Sequence, residues 1–122
     1  MKTRGVGYLE QKVNENAGFT PSTCQLELTY RCQFQCLHCY CRDLKGPQYT
    51  QQKELTTYEW KAILDTLHRQ GCLWLVLSGG EPLAREDFLE LYDYAKAKGF
   101  LITLLSNGYG FSPEIIAHLA AS

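Results

Sequence analysis

The chain has 122 residues, the size of about one domain, and its formal net charge at pH 7 is −1. Lysine and arginine are scattered without a basic stripe, so the charge gives no reason to expect nucleic acid or an acidic membrane as a partner. The apolar runs are too short to span a bilayer and no signal-peptide h-region is apparent, so we expect a soluble, cytoplasmic protein.

The first predicted strand follows a segment without clear periodicity. We interpret residues 1–22 as an N-terminal extension, because they lack any helical or strand pattern. Residues 24–29 alternate between apolar and polar side chains, which predicts a strand with Leu26 and Leu28 on its apolar face. A cysteine-rich loop follows and leads into a polar stretch around Gly46.

An amphipathic helix and an apolar run come next. Thr56 and Glu59 form a capping box, and apolar residues then recur at helical spacing, which predicts a helix over residues 57–69. Residues 73–77 are apolar throughout, as expected for a parallel strand that is covered on both faces.

The same alternation then repeats. Residues 86–98 predict a second helix, and residues 100–105 predict another buried strand. Ser112 as N-cap and Pro113 as first residue open a third helix. Strands that alternate with helices predict an α/β fold in which βα repeats form a parallel sheet.

Three cysteines in the loop after the first strand carry the strongest chemical signal. Cys32, Cys36 and Cys39 form a C-x3-C-x2-C pattern, and three thiolates this close can hold an iron–sulfur cluster. A [4Fe–4S] cluster normally takes four cysteines, so three leave one iron open, which is typical of a reactive site. Disulfides are disfavoured because the apolar pattern can build a core without them.

Three motifs together resemble one known family. The loop C-Q-F-Q-C-L-H-C-Y at 32–40 resembles the cluster loop of the radical S-adenosylmethionine (radical SAM) superfamily. Gly79-Gly80-Glu81-Pro82 resembles the second signature of that superfamily, and Ser106-Asn107-Gly108 resembles the turn after its third strand. The resemblance covers residues 23–122, which we assign to the core domain.

The resemblance implies half of a known architecture. Enzymes of this superfamily use six βα units as an open, TIM-like (βα)6 barrel, and three units are present here. We therefore interpret the chain as the N-terminal half of such a barrel and as a fragment of a longer enzyme. The alternative is a three-stranded α/β domain that is complete by itself.

The resemblance also implies cofactors and ligands. Cys32, Cys36 and Cys39 would hold a [4Fe–4S] cluster whose open iron takes the amino and carboxylate groups of S-adenosylmethionine. His38 would lie beside the adenine, with loop packing as an equal alternative. We assign no residue a catalytic role.

The two later motifs would complete the S-adenosylmethionine site. The turn at Gly79-Gly80-Glu81-Pro82 would receive the methionine amino group through a backbone carbonyl and Glu81. Ser106 and Asn107 would contact the ribose or the methionine carboxylate, although turn chemistry alone also explains an Asn-Gly pair.

The implied activity is reductive cleavage of S-adenosylmethionine to a 5′-deoxyadenosyl radical that abstracts hydrogen. The motifs look most like those of SPASM-type enzymes, which carry an added C-terminal cluster domain and mature peptides, proteins or cofactors. A flavodoxin- or ferredoxin-like electron donor is then expected as a partner, and the substrate would be a peptide, a protein or a small molecule.

Two other classes of function stay open from the residues alone. Cys36 and Cys39 form a C-x-x-C pair that also suits a zinc or thiol-redox module, although this leaves Cys32 and the Gly-Gly-Glu-Pro turn unexplained. A non-catalytic binding domain with the same fold is the other alternative. Cys41 as a fourth ligand would close the open iron.

Overall fold

The computed structural model describes residues 21–44 and 54–122. Almost all of the expected N-terminal extension and the polar stretch around Gly46 lie outside these residues. The strands are β1 (Thr23–Thr29), β2 (Trp74–Gly79) and β3 (Leu101–Leu104), and the helices are α1 (Thr57–Arg69), α2 (Phe88–Ala97) and α3 (Pro113–Ala120). Short 3-10 turns lie at Arg42–Leu44 and Pro82–Ala84.

The three strands form one parallel sheet in the order β1-β2-β3. Thr23 is the register partner of Trp74, and Leu77 is the partner of Leu104. The register of the β1–β2 pair shifts between Glu27 and Thr29. The predicted α/β class with parallel βα repeats is confirmed. Because the strands run parallel, all three carboxyl ends meet at the same edge of the sheet.

The core lies on one face of the sheet, where α1 and α2 pack. Leu26 and Leu28 of β1 are buried there, as the alternation predicted, together with Leu75 and Leu77 of β2. The two helices contribute most of the other core side chains: Trp60, Leu64, Leu67, Phe88, Leu91, Tyr92 and Ala95. One apolar layer therefore fixes the position of β1 and β2.

The prediction that β2 and β3 are covered on both faces is wrong for this part of the chain. Trp74 of β2 is 45% exposed, and its indole donates a hydrogen bond of 2.8 Å to Thr103 on the face opposite the core. No residue of β3 is buried. The reason is that α1 and α2 share one face, so within residues 21–44 and 54–122 no helix covers the other.

The helix ends follow local sequence chemistry. The capping box is confirmed, since the Thr56 hydroxyl accepts from the Glu59 backbone N–H and Glu59 accepts from the Thr56 N–H. The Ser112 hydroxyl accepts from the Ile115 N–H at the start of α3. None of the helices in the described residues is long and apolar enough to cross a membrane.

Candidate functional site at the carboxyl edge of the sheet

Three turns meet at the carboxyl edge of the sheet. Residues 30–44 follow β1, residues 80–82 follow β2, and residues 105–112 follow β3. This edge is where open α/β sheets bind ligands, because the turns are free to vary while the strands hold them in place. The three motifs of the sequence therefore lie on the side of the sheet suited to a binding site.

The glycine turn after β2 is tied to the residues that leave β1. The Gly80 N–H donates to the Thr29 carbonyl at 2.7 Å, and the Glu81 N–H donates to the Arg31 carbonyl at 2.8 Å. A Cβ atom on Gly80 would lie 2.4 Å from the Arg31 carbonyl oxygen, a distance that a real side chain does not tolerate. Gly80 therefore permits the close backbone approach that connects this turn to the start of the cysteine loop.

Glu81 joins the turn after β2 to the turn after β3. Its side chain is buried, with a relative exposure of 1%. One carboxylate oxygen accepts from the Leu83 N–H at 3.0 Å and from the Ser106 hydroxyl at 2.9 Å, and the other accepts from the Asn107 N–H at 2.7 Å. A buried carboxylate needs such donors to offset its lost hydration. Glu81 thus brings Ser106 and Asn107 into the site.

Cys32 lies beside the turn after β3. Its sulfur is 3.4 Å from the Phe34 backbone nitrogen and 3.6 Å from Asn107 Nδ2. Both groups donate hydrogen bonds to sulfur. The side chain is half-buried. The first predicted cluster ligand therefore contacts a second predicted site residue, and we found no signal for that contact in the sequence.

Cys36, Cys39 and His38 complete the loop. Cys36 and His38 are exposed, whereas Cys39 is half-buried, with its sulfur 3.5 Å from that of Cys41. The Cys39 N–H donates to the Cys36 carbonyl at 3.3 Å, which closes a tight turn. In the part of the chain that the structure describes, no three His, Cys, Asp or Glu side chains form a ready-made metal-binding group.

The loop nevertheless fits a cluster with three protein thiolates. None of the six cysteines, all of which the structure describes, forms a disulfide, and three of them lie within eight residues of one loop. Residues 33–38 are all exposed, so the loop can gather the three sulfurs without moving the buried core. Two N–H donors already point at Cys32, and such donors stabilise a thiolate.

Tyr40 and Cys41 hold the far end of the cysteine loop against β2. The Tyr40 hydroxyl lies 3.1 Å from the Ser78 hydroxyl and 3.4 Å from the Gly79 carbonyl, to which Cys41 also donates at 3.7 Å. Loss of solvent around its hydroxyl raises the pKa of Tyr40, so it stays a neutral donor. Cys41 itself is buried. The Tyr40 side chain is otherwise exposed and contacts β2 through its hydroxyl.

Arg85 is a structural residue of the site that sequence reasoning missed. Its guanidinium is buried and donates to the carbonyl oxygens of Leu28 and Leu55, each at 3.1 Å. It also forms a bidentate pair with Asp87, at 2.8 and 2.7 Å. Burial opposes the charge of Asp87, but hydrogen bonds from Arg85 and Thr57 outweigh it and lower the pKa of that carboxyl.

The Arg85 group extends to the exit of β1. Glu54 accepts a hydrogen bond from the Thr29 hydroxyl and forms an ion pair with Arg31 at 3.2 Å. Arg85 lies 3.7 Å from the same Glu54 carboxylate. The strand that leads into the cysteine loop is thus held by charged groups from the segment before α1 and from the turn after β2.

Cys24 and Cys72 lie away from this edge. Cys72 precedes β2 and is buried in the core. Cys24 is in the first half of β1, and burial, with a smaller contribution from Cys72, raises the pKa of its thiol to about 11. A neutral thiol is a poor nucleophile and a poor metal ligand.

Comparison with known proteins identifies the family. The sequence profile of the radical SAM superfamily matches residues 26–122. The chain is 41% identical to the mycofactocin maturase MftC of Mycolicibacterium smegmatis over 96 aligned residues. The aligned region is 79% of this chain and 24% of that protein. The chain is also 39% identical to the PqqA peptide cyclase of Rhodopseudomonas palustris over 102 aligned residues. That aligned region is 82% of this chain and 26% of the cyclase. The chain spans about a quarter of the length of these curated relatives.

Proposed function

The chain belongs to the radical SAM superfamily, whose members use a [4Fe–4S] cluster and S-adenosylmethionine, and we propose that Cys32, Cys36 and Cys39 hold the cluster. When bound, the cluster supplies an electron that cleaves S-adenosylmethionine to methionine and a 5′-deoxyadenosyl radical, which takes a hydrogen atom from the substrate. Three thiolates would leave one iron without a protein ligand, and that iron would be available to S-adenosylmethionine.

S-adenosylmethionine binds along the carboxyl edge of the sheet in this proposal. The backbone carbonyls of the turn formed by Gly79, Gly80, Glu81 and Pro82 receive the methionine amino group, with the Glu81 carboxylate beside them. Pro82 is buried and has no N–H, so it fixes the direction in which the chain leaves the turn. The close contact between Gly80 and the Arg31 carbonyl supports this placement, because it sets the turn directly beside the cysteine loop.

The remaining S-adenosylmethionine contacts come from the turn after β3 and from the loop. Ser106 and Asn107 face the ribose or the methionine carboxylate, and His38 lies beside the adenine. His38 is exposed, so it is free to take that position when the ligand is present. Glu81 accepts hydrogen bonds from Ser106 and Asn107 and so fixes the turn after β3 next to the turn after β2.

The names of two relatives support a peptide-related substrate. One is a mycofactocin maturase and another is a PqqA peptide cyclase, so this protein acts in the maturation of a peptide or a peptide-derived cofactor. A flavodoxin- or ferredoxin-like protein supplies the electron. The reaction takes place in the cytoplasm.

The observation that carries the proposal is the buried Glu81 carboxylate, which unites two of the three family motifs at the strand ends. The test is the formation of 5′-deoxyadenosine by the full-length protein, reconstituted anaerobically with iron and sulfide and reduced with dithionite. We expect the product from the wild type and from the matched control Cys24→Ala, and none from Cys36→Ala. A wild-type protein that holds an intact cluster and binds S-adenosylmethionine without cleaving it would contradict the proposal.

A further inference from the structure

We propose that the side-chain amide of Asn107 donates a hydrogen bond to the sulfur of Cys32 and thereby raises the reduction potential of the cluster. This inference rests on the proposed function, since it requires Cys32 to be a cluster ligand. It gives Asn107 a role toward the metal centre in addition to any contact with S-adenosylmethionine. It also gives the turn after β3 a part in the redox chemistry.

The first support is the geometry around the Cys32 sulfur. Asn107 Nδ2 lies 3.6 Å from it, within the range of N–H···S hydrogen bonds, and the Phe34 backbone nitrogen lies at 3.4 Å. The sulfur therefore has two N–H donors from different elements. Cys36 is exposed, and the Cys39 sulfur lies 3.5 Å from that of Cys41.

The second support is that the orientation of the Asn107 amide is determined by a backbone donor. Its Oδ1 accepts from the Tyr109 N–H at 2.9 Å and from Gln33 Nε2 at 3.3 Å. A backbone N–H can only donate, so the oxygen has to face Tyr109 and the NH2 group has to face the other way, toward Cys32. The opposite orientation would set two donors against each other.

The third support is that the turn itself is held in place. The Asn107 N–H donates to Glu81 at 2.7 Å, and the Gly108 N–H donates to the Ser106 hydroxyl at 3.0 Å, while that hydroxyl donates to Glu81. The Glu81 carboxylate is buried, so these hydrogen bonds do not compete with water. Asn107 is thus an exposed side chain on a fixed backbone, which allows it to keep one direction toward the sulfur.

The sign of the effect follows from electrostatics. Reduction adds one negative charge to the cluster, and part of that charge resides on the thiolate sulfurs. An N–H donor stabilises the more negative state, so it raises the potential at which the cluster accepts an electron. Loss of the donor should lower the ratio of reduced to oxidised cluster about tenfold at a fixed solution potential, which corresponds to about 59 mV for one electron.

The test is an anaerobic redox titration of the reconstituted full-length protein, followed by electron paramagnetic resonance. The titration is made without S-adenosylmethionine, so that a contact of Asn107 with that ligand cannot affect the result. Asn107→Ala removes the donor, and Asn107→Asp keeps the shape and the acceptor for Tyr109 while replacing the donor by a carboxylate. We expect the potential to fall from wild type to Asn107→Ala and further to Asn107→Asp.

Gln33→Ala is the matched control, because it removes a neighbouring amide that contacts Asn107 but not the sulfur. We expect its reduced-to-oxidised ratio to change less than twofold. Resonance Raman spectra in D2O give a second readout: the iron–sulfur bands should shift on exchange in the wild type, and less in Asn107→Ala.

The outcomes separate the two proposals. A wild-type protein without an iron–sulfur cluster overturns both. A cluster of normal iron content whose potential is the same in wild type, Asn107→Ala and Asn107→Asp overturns the inference and leaves the proposed function standing. If Asn107→Ala loses its cluster, Asn107→Asp decides, and a wild-type potential in that variant overturns the inference.

Discussion

Replacing Gly80 by alanine places a methyl group inside the backbone contact between the turn after β2 and the exit of β1. The new Cβ would lie 2.4 Å from the Arg31 carbonyl oxygen and 2.7 Å from that of Tyr30. Both neighbours are backbone atoms, so no flexible side chain can move aside. The turn must shift by more than half an ångström, and the two hydrogen bonds that connect it to β1 must lengthen or break.

The expected cost has two parts. Overpacking of a tight contact costs about 1–3 kcal/mol, and each of the two hydrogen bonds contributes about 1 kcal/mol. We therefore expect Gly80→Ala to reduce the local free energy of opening by roughly 2–4 kcal/mol, since the two parts overlap when the turn moves. A loss of about 2 kcal/mol corresponds to roughly 30-fold faster exchange of the amides in this turn.

The assay is hydrogen–deuterium exchange of the full-length protein, read by mass spectrometry on peptides that contain residues 77–83. Gly99→Ala is the matched control, because Gly99 has a φ of +86° but nothing within 4 Å of its Cβ position. That substitution should cost only the left-handed backbone strain, roughly 1–2 kcal/mol, and only around its own turn. Exchange in residues 77–83 that is unchanged in Gly80→Ala would refute the reasoning.

Three further results are expected. Arg85→Met should lower the free energy of unfolding in urea by about 3 kcal/mol, because it leaves Asp87 and two carbonyls without their buried donor. A loss below 1 kcal/mol would contradict the structural role of Arg85. Because the pKa of Asp87 is lowered in the folded state, its carboxylate stabilises the fold fully above about pH 4, and this contribution is lost as the pH falls further. Asp87→Asn should therefore flatten the acid part of the curve of unfolding free energy against pH. An unchanged curve would exclude Asp87 as the cause of that slope. Residues 1–122 expressed alone should aggregate, because the outer edge of β3 has no partner strand in the described residues. A monodisperse chain whose amides resist hydrogen exchange and that makes 5′-deoxyadenosine over several turnovers would show that the fragment interpretation is wrong.

Local signals predicted most of the fold. The helix at Thr57–Arg69 begins and ends where the capping box and the apolar spacing placed it, because both signals act within a few residues. The alternation over residues 24–29 likewise predicted which side chains of β1 face the core. The prediction that both faces of β2 and β3 are covered was wrong. An apolar run shows what a strand is able to bury, but it does not show which helices are present to cover each face.

The site was predictable at the level of motifs but not of contacts. Parallel strands place the turns that follow them on one edge, so the motif positions followed from the topology. Two partners of the Glu81 carboxylate lie 25 and 26 residues further along the chain, and Arg85 donates to a carbonyl 57 residues before it. Contacts between residues so far apart in the chain produce no periodic pattern in the sequence. Thr29 shows the same limit: the alternation over residues 24–29 places it on the polar face, yet it is buried and its hydroxyl donates to Glu54.

The measurement that tests the central claim most directly is the iron and acid-labile sulfide content of the six single cysteine-to-alanine variants after anaerobic reconstitution of the full-length protein. The cluster that residues 32–39 hold should account for about four irons and four sulfides of the wild-type total. Cys32→Ala, Cys36→Ala and Cys39→Ala should each lose these four irons, whereas the variants of the other three cysteines, Cys24, Cys41 and Cys72, should keep them. Wild-type iron and sulfide in Cys36→Ala, or zinc in place of iron, would contradict the assignment.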